Sequence, residues 1–235
     1  MKLMSFAKKV RNKIYRAIPK KNVNFYSCNV CGWTGNRFDS DGWHKHSKCP
    51  HCGSDVRQRL FVACLEHTKD LGINLSLKGK RILHFAPEAS ISKLIADLTD
   101  NYKTADFLRE DCDIRLDMCD MKEIAPSSFD IVIAFDVLEH VPNYNTALKE
   151  IHRILSDDIG IAILSVPQRD NLPQAYEDPT ITDPKDREDA YGQWDHLRIF
   201  GDNFGDEVAK EGFQVTEISW KSFNDMTSLR HTLKH

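Results

Sequence analysis

The chain has 235 residues, of which 41% are hydrophobic and 29% are charged, and its formal net charge is -3. This length allows one full hydrophobic core with a small appended module and excludes two large domains. No apolar stretch approaches the roughly 18 residues of a transmembrane helix, and the N-terminus lacks the pattern of an export signal, so we expect a cytoplasmic protein.

The charge is unevenly distributed along the chain. Residues 1 to 38 contain nine of the 32 basic side chains and no acidic one, which leaves 23 basic and 35 acidic side chains, a balance of -12, in the rest. Proteins that bind nucleic acid usually need a basic surface, because neutralising phosphates supplies most of the non-specific affinity. The acidic main domain therefore argues against nucleic acid as a partner.

Residues 1 to 24 are predicted to form a basic amphipathic segment, with a helix over residues 1 to 21 that Pro19 ends. The apolar side chains that share one stripe of this helix are Leu3, Phe6, Val10, Ile14 and Ile18. Such a helix can lie on an anionic membrane, which would place the protein at the inner face of the cytoplasmic membrane. Alternatively, the stripe packs on the protein's own core or on a second copy.

Residues 25 to 56 are predicted to form a metal-binding module. They contain two Cys-x2-Cys pairs with 17 residues between them, formed by Cys28, Cys31, Cys49 and Cys52. In the reducing cytoplasm, paired cysteines favour a metal over disulfides, and four thiolates suit a structural zinc ion without an open coordination position. The module has few aliphatic side chains, so a metal has to replace the missing hydrophobic core.

Two questions about this module stay open at the level of sequence. One of the three nearby histidines, His44, His46 or His51, can replace a cysteine as ligand, and the pairs can instead form a redox dithiol. The aromatic side chains of the module either pack beneath the ion or form part of a substrate surface; they are Trp33, Phe38 and Trp43.

Residues 57 to 235 are predicted to form the main domain, in which strands alternate with helices. The predicted strands are 80 to 86, 102 to 107, 114 to 117, 129 to 135, 159 to 166 and 213 to 219. The predicted helices are 57 to 73, 91 to 98 behind a Ser90 cap, 147 to 155 and 203 to 211. This alternation indicates an α/β fold with a doubly wound, Rossmann-like, mostly parallel sheet. Residues 168 to 198 are polar and are predicted to form a long loop with short helical pieces, and a loop of this length is usually functional or disordered.

In a doubly wound sheet, ligands bind beyond the carboxyl ends of the strands, where the strand order reverses. The residues that follow the first four predicted strands are therefore the candidate site. They are Phe85 to Ser90, then Asp106, then Asp117 with Met118, and then Phe135 with Asp136.

From these positions the chain resembles the class I S-adenosylmethionine-dependent methyltransferases, particularly the bacterial type 11-like members with an N-terminal zinc knuckle. The resemblance covers roughly residues 28 to 220. It rests on the motifs LHFAPE at 83 to 88, TAD at 104 to 106, LDM at 116 to 118, SFDIVIAFDVLEHV at 128 to 141, ALKEIHRIL at 147 to 155 and GQWDHLRIFG at 192 to 201. It also implies a seventh, antiparallel strand, for which residues 229 to 233 are the candidate.

The resemblance implies a role for each of these strand-end residues in binding S-adenosylmethionine. Asp106 would accept hydrogen bonds from the ribose hydroxyls, Asp117 would bind the adenine amino group, and Met118 would pack on the ring. Asp136 or the Phe135 carbonyl would lie near the cofactor's ammonium group. The first loop, with Phe85, Ala86 and Glu88, departs from the family pattern, because Ala86-Pro87-Glu88 replaces its usual glycines.

Methyl transfer to a hydroxyl or amine requires alignment of the acceptor with the methyl group and benefits from a base with a pKa near 7. His196 is the first candidate for this base, its ring oriented by Asp195 or another carboxylate, and His140 is the second. Asp136 can also steer the acceptor. Arg198 either binds an acidic group of the substrate or pairs with a carboxylate.

Zinc-knuckle relatives of this type indicate a small-molecule or glycan acceptor, so O-methylation of a sugar, a glycan precursor or a similar small polar molecule is the favoured function. The first alternative is a ribosomal RNA base methyltransferase, against which the acidic main domain argues. The second alternative is a non-catalytic, zinc-dependent scaffold that retains the transferase fold. The sequence predicts no particular oligomeric state.

Overall fold

A computed structural model describes residues 25 to 41, 44 to 231 and 233, apart from the side chain of Leu229. The predicted N-terminal amphipathic helix and Trp43 lie outside these residues. The described residues form two compact units: one contains those up to Ile73 together with those from Ser219 onwards, and the other is Asn74–Ile218. The contacts thus group residues 57 to 73 and the C-terminal residues with the cysteine module, a different division from the three segments expected from sequence.

Seven strands and six α-helices, numbered here in chain order, are present among the described residues. They are β1 (Tyr26–Ser27), β2 (Thr34–Gly35), α1 (Val56–Glu66), β3 (Ile82–Phe85), α2 (Ala89–Ala96), β4 (Tyr102–Asp106), β5 (Ile114–Arg115), β6 (Ile131–Phe135), α3 (Tyr144–Ile154), β7 (Ile161–Ser165), α4 (Pro184–Tyr191), α5 (Phe204–Lys210) and α6 (Asp225–His231). A short 3-10 helix, Trp220–Ser222, precedes α6. None of the described helices has the length and apolar character required to cross a membrane.

The second unit is built on a five-stranded sheet with the order β5-β4-β3-β6-β7. Every pairing in this sheet is parallel. The chain proceeds outward from β3 through β4 to β5, then returns to the other side of β3 for β6 and β7, so the strand order reverses between β3 and β6. This arrangement confirms the predicted doubly wound, Rossmann-like sheet.

The core of the second unit forms because apolar residues fill the central strands and one face of α3. All residues of β3 and β6 are buried, as expected for strands with neighbours on both sides. In α3, Ala147, Leu148, Ile151 and Ile154 recur at helical spacing and join the core cluster. The side chain of Asn143 accepts a hydrogen bond from the Thr146 amide and begins this helix.

Three local predictions are wrong. Residues 213 to 219 are mostly exposed and form no strand, because their alternating pattern finds no neighbouring strand with which to pair. Residues 225 to 231 form α6 instead of a seventh strand, and the Asn224 side chain accepts a hydrogen bond from the Thr227 amide at its start. Glu88, and not Ser90, occupies the N-cap position of α2.

Asp130 connects β3 and β6 at the amino edge of the sheet. Its carboxylate accepts hydrogen bonds from the Arg81 guanidinium (2.7 Å), the Arg81 amide (3.0 Å) and the Ser156 hydroxyl (2.9 Å). The side chain of Arg81 thereby holds the pKa of Asp130 well below its ordinary value. This carboxylate is part of the scaffold, at the edge opposite the candidate site.

We expect Asp130→Asn to lower the free energy of unfolding by roughly 1 kcal/mol at pH 7, because the amide loses a charge-assisted hydrogen bond that is partly open to solvent. The pKa of Asp130 is lower in the folded than in the unfolded chain, where it is about 4. The wild-type protein therefore exceeds Asp130→Asn in free energy of unfolding by the full amount above about pH 4, and this difference shrinks as the pH falls below that value. Urea unfolding at a series of pH values measures this. A difference that stays constant into the acid range would contradict the assignment.

Candidate functional site

The four cysteine sulfur atoms of the first unit lie together. The Sγ atoms of Cys28 and Cys52 are 3.8 Å apart, as are those of Cys31 and Cys49, and all four lie within 4.8 Å of one another. Four thiolates placed tetrahedrally at about 2.3 Å from zinc are separated by about 3.8 Å. The spacing of the sulfur atoms therefore fits one zinc ion held by four cysteines.

Both cysteine pairs lie in the same kind of turn. The Gly32 amide donates to the Cys28 carbonyl (2.8 Å), and the Gly53 amide donates to the Cys49 carbonyl (2.9 Å). Both glycines have a positive φ, 75° and 71°, a conformation that lets the chain close the turn without a side-chain clash. The two knuckles thus direct two sulfur atoms each toward a common centre.

The nearby histidines have other contacts. His46 Nδ1 lies 3.0 Å from the Phe38 carbonyl oxygen, and His44 Nδ1 lies 3.2 Å from the Asp41 carboxylate. Among the described residues the metal-binding group in this unit contains only the four cysteines. Phe38 is buried against them and Trp33 packs on this cluster, which favours the packing role predicted for these rings.

Arg59 of α1 is fully buried close to the cysteines. Its guanidinium lies 4.3 Å from the centre of the Phe38 ring and donates to the Ser54 and Ser47 carbonyls, both at 2.6 Å, and to the His231 carbonyl at 2.7 Å. Burial lowers the pKa of Arg59, while the charges of the cysteines oppose this change. Four thiolates around one zinc ion would carry two net negative charges, which this buried cation would partly balance.

The second candidate site lies at the carboxyl edge of the large sheet. Asp106 is the last residue of β4, Asp136 directly follows β6, Ala86 directly follows β3, and Asp117 comes two residues after β5. Because all these strands are parallel and adjacent, the four positions lie along one edge in the order Asp117, Asp106, Ala86, Asp136. The structure therefore brings the predicted strand-end residues to the edge where the strand order reverses.

The Asp106 carboxylate organises the loop after β4. Its Oδ1 accepts hydrogen bonds from the amides of Leu108 (2.8 Å) and Arg109 (2.9 Å). The Arg109 guanidinium donates to the Pro87 carbonyl (3.0 Å), so the loops after β3 and β4 are connected. Phe107 and Leu108 are exposed by 59% and 74%, which leaves an apolar surface beside the carboxylate.

Two residues at this edge have left-handed backbone conformations. Ala86 has φ 46° and Asp136 has φ 52°, values that favour glycine. Strain of this kind often occurs at functional sites, where the surrounding structure holds it in place. At Asp136 the holding contacts come from Ser165 of β7, whose hydroxyl donates to the carboxylate (2.7 Å) and whose carbonyl accepts from the Asp136 amide (2.9 Å).

His84 supports the loop after β3, a role that sequence reasoning missed. Its fully buried ring lies with Nε2 3.0 Å from the Glu88 carboxylate and Nδ1 2.8 Å from the Tyr102 hydroxyl, which in turn donates to the Ser92 hydroxyl (3.2 Å). Burial raises the pKa of Tyr102. A histidine in the middle of an apolar strand was the signal that could have identified this network.

Other predicted cofactor-binding residues have different surroundings. Phe85, Phe135 and Met118 are buried in the core, with 2%, 6% and 4% of their surfaces exposed. The first two can reach a cofactor mainly through their backbone, and the role of Met118 against a ring stays a prediction. Asp117 lies at a polar surface cavity of about 310 Å³. Its Oδ1 accepts a hydrogen bond from the Cys119 amide (2.8 Å).

The predicted catalytic histidines lie together. The rings of His140 and His196 are 4.8 Å apart and nearly perpendicular, at 81°. Burial lowers the pKa of His196, and the charges of Asp195 and Asp136 oppose this change. The sequence predicted that Asp195 or another carboxylate orients His196, whereas Asp195 Oδ2 lies 3.4 Å from His140 Nδ1, and the ring of His196 contacts the Tyr191 carbonyl (3.2 Å).

Arg198 is buried beneath these histidines and contacts protein groups. It donates to the Glu177 carboxylate (2.7 Å) and to the carbonyls of Leu138 (3.0 Å), Val141 (2.6 Å) and Pro142 (3.0 Å). Of the two roles considered for it, pairing with a carboxylate is the one that these contacts support. Arg198 holds the turn that carries His140.

Comparison with known proteins identifies the family of the chain. Residues 34 to 218 match the model of a protein family described as "Methyltransferase domain". The chain belongs to this methyltransferase family. No curated protein matches the chain.

Solved structures similar to this methyltransferase include an S-adenosylmethionine-dependent methyltransferase from Mesorhizobium loti, with 15% identity, a TM-score of 0.50, and coverage of 76% of this chain and 92% of that chain. Another is the Burkholderia thailandensis 1,6-didemethyltoxoflavin-N1-methyltransferase with bound S-adenosylhomocysteine, with 14% identity, a TM-score of 0.46, and coverage of 69% and 78%. At these identities the Mesorhizobium protein supports the fold and nothing finer.

Proposed function

We propose that the protein transfers a methyl group from S-adenosylmethionine to a hydroxyl of a small polar acceptor, such as a sugar or a glycan precursor. The observation that carries the proposal is the order of residues along the carboxyl edge of the sheet, Asp117, Asp106, Ala86 and Asp136. An elongated nucleoside with an amino-acid tail would follow this order, with adenine at Asp117, ribose at Asp106 and the amino-acid portion at the loop after β3.

The residues present fit such a cofactor. Among the described residues, Asp106 Oδ2 has no hydrogen bond, so it can accept one from a ribose hydroxyl while Oδ1 keeps its two backbone contacts. Asp117 lies at a cavity with room for a polar ring edge. The Ala86 conformation turns the backbone sharply after β3, in place of the glycines usual in this family.

The reaction requires few chemical groups from the protein. A lone pair of the acceptor oxygen forms the new O–C bond, the S–C bond breaks, and its electrons remain on sulfur as the neutral thioether. The acceptor proton has to leave, and the paired rings of His140 and His196 are the groups proposed to accept it, with His196 as the first candidate. Asp136, which directly follows β6 and precedes His140 by four residues, would position the acceptor.

The surroundings of the histidines support a polar acceptor with apolar faces. Two aromatic side chains of the 168 to 198 segment are exposed, Trp194 by 61% and Tyr176 by 41%. Exposed aromatic faces on the segment that also carries Asp195 and His196 suit a sugar ring, which has both apolar faces and hydroxyls. The four cysteines of the first unit are proposed to hold a structural zinc ion, since four ligands leave no coordination position for a substrate.

We expect Asp106→Asn to bind S-adenosylmethionine about 10- to 100-fold more weakly than the wild-type protein. Asparagine keeps an oxygen for the Leu108 and Arg109 amides but loses the charge of the second acceptor, and hydrogen bonds to charged groups contribute about 1.5 to 3 kcal/mol each. Isothermal titration calorimetry with S-adenosylmethionine measures the affinity. The matched control is Asp130→Asn, which changes the carboxylate at the opposite edge and should leave binding intact.

Failure of the wild-type protein to bind S-adenosylmethionine would refute the proposed function and favour a non-catalytic scaffold. The acceptor is identified by incubating the protein with labelled cofactor and separate pools of nucleotide sugars, glycolipids and RNA, followed by mass spectrometry. Methylation of the sugar-containing pools supports the proposal. Methylation of RNA alone would instead assign the protein to nucleic acid.

A further inference from the structure

A cluster of three potential metal ligands lies in the second unit, separate from the four cysteines. Glu139 Oε1 lies 3.8 Å from His196 Nε2 and 3.9 Å from His140 Nε2. One ligand atom from each of the three residues lies within 4.8 Å of the others. The two nitrogen atoms therefore face the same carboxylate oxygen, and small side-chain rotations would bring all three to the roughly 2.0 to 2.2 Å of a metal bond.

The other nitrogen atom of each imidazole has its own partner. His140 Nδ1 lies 3.4 Å from the Asp195 carboxylate, and His196 Nδ1 lies 3.2 Å from the Tyr191 carbonyl oxygen. The hydrogen bond of His196 favours the tautomer with a proton on Nδ1 and a lone pair on Nε2, and the negative charge of Asp195 favours a proton on the Nδ1 of His140 that faces it. Histidines that bind metals almost always donate their second nitrogen to a carboxylate or a backbone carbonyl in this way.

Burial distinguishes this cluster from an exposed group of polar residues. Glu139 is fully buried and His196 is 6% exposed, whereas His140 is about one-third exposed and so leaves an approach from solvent. The backbone of the cluster is also held in place, because the Leu197 amide donates to the Glu139 carbonyl (2.9 Å) and joins the two segments. A buried carboxylate is stabilised when a cation lies beside it.

We propose that Glu139, His140 and His196 bind one divalent transition-metal ion. Two imidazoles and one carboxylate suit zinc, iron, cobalt or nickel better than magnesium, and three protein ligands leave coordination positions open. The role of this ion rests on the proposed function. A hydroxyl acceptor would occupy an open coordination position, and the ion would lower the pKa of that hydroxyl. The two imidazoles would then act as ligands, and the acidified hydroxyl would release its proton to solvent water instead of to a histidine.

The test is a cobalt titration of the protein after addition of one equivalent of zinc, which the four thiolates should bind first, so that the Glu139, His140 and His196 site stays open to cobalt. We expect one Co²⁺ per chain, with visible absorption bands but without the thiolate-to-cobalt charge-transfer band that binding to cysteines would produce. Glu139→Gln and His140→Gln should weaken binding at least about 100-fold, and Asp195→Asn, which alters only the carboxylate beside His140, should weaken it about 10- to 100-fold. The exposed His152 supplies the control His152→Gln, which should bind as the wild type does.

Circular dichroism verifies that each variant is folded, and Asp195→Asn keeps the test valid if a change at buried Glu139 prevents folding. Absence of the cobalt bands in the wild-type protein would overturn the proposal. So would a cobalt affinity equal to that of the wild-type protein in Glu139→Gln, His140→Gln and Asp195→Asn. Calorimetry with S-adenosylmethionine on the same samples separates the two hypotheses. Cofactor binding without cobalt binding refutes the metal site alone, and cobalt binding without cofactor binding refutes the proposed function alone.

Discussion

Replacement of Cys49 by serine is expected to abolish stoichiometric zinc binding and to unfold the first unit. Around the cysteines, the buried cluster consists of Cys28, Phe38 and Cys49, so the centre of this part of the unit is made largely of sulfur. Zinc binding stabilises small modules of this kind by about 10 to 16 kcal/mol, which is comparable to the whole stability of a typical domain. Without the ion, the part of the unit around the cysteines retains little buried apolar surface to offset the loss of chain entropy.

The measurements are the zinc content of the purified protein by mass spectrometry and the protection of each unit from limited proteolysis. Cleavage of Cys49→Ser should begin in the first unit, while Asn74–Ile218 persists because its core is formed by the large sheet. A wild-type protein without zinc, or a Cys49→Ser protein with one zinc ion and an intact first unit, would contradict this expectation.

Cys64 provides the matched control. It is buried in α1 of the same unit but is not part of the four-cysteine group. Burial raises the pKa of the Cys64 thiol to about 11, so it stays protonated at neutral pH and is a poor substitute ligand. Cys64→Ala should therefore retain one zinc ion per chain, with a loss of stability of only about 1 kcal/mol from the missing sulfur.

Replacement of Arg198 by methionine has the second largest expected effect, a loss of about 3 to 5 kcal/mol in the free energy of unfolding. Methionine matches the length of the arginine stem but leaves the carbonyls of Leu138, Val141 and Pro142 without their buried donor. An unsatisfied buried acceptor costs about 1 to 3 kcal/mol, which applies in full to Leu138 and in part to the half-buried Val141. Pro142 is exposed and Glu177 is 44% exposed, so both can be solvated. The melting temperature should fall by roughly 10 °C.

Two readouts distinguish this positioning role from binding of an acidic substrate group. Thermal unfolding should show the loss without any ligand. The control is Arg169→Met, which should change the stability little, because the guanidinium of the exposed Arg169 donates to the Ala190 carbonyl (2.8 Å) at the surface. An Arg198→Met protein with wild-type stability and a raised KM for its acceptor would show instead that Arg198 binds substrate.

Much of the second unit was predictable because its signals are local. The apolar runs around β3 and β6 and the helical spacing of Ala147, Leu148 and Ile151 depend on residues close together in the chain. The parallel sheet followed from their alternation, and its carboxyl edge followed from the parallel sheet. Asp106, Asp117 and Asp136 were thereby placed at one edge before any coordinates were considered, and the comparison with known families confirms a methyltransferase.

Predictions that depended on distant partners were less successful. Residues 213 to 219 have an alternating pattern, but a strand also needs a neighbour, and the sequence does not show whether one is present. The C-terminal residues form a helix whose His231 contacts the Ser27 carbonyl (2.7 Å), more than 200 positions earlier in the chain. The spacing of apolar residues, in the C-terminal segment or around Ser27, does not indicate this contact.

The sequence by itself determined the order of the elements, the pairing of the four cysteines into knuckles and the acids at the strand ends, because each depends on spacing within one turn, strand or helix. Only the tertiary structure decided which distant side chains meet. His196 lies beside Glu139 and His140, and Asp195 lies beside the ring of His140. Arg198 is buried against the turn that carries Glu139 and His140. These contacts join a strand end to a loop more than 50 residues later in the chain, and packing of the loop sets their geometry.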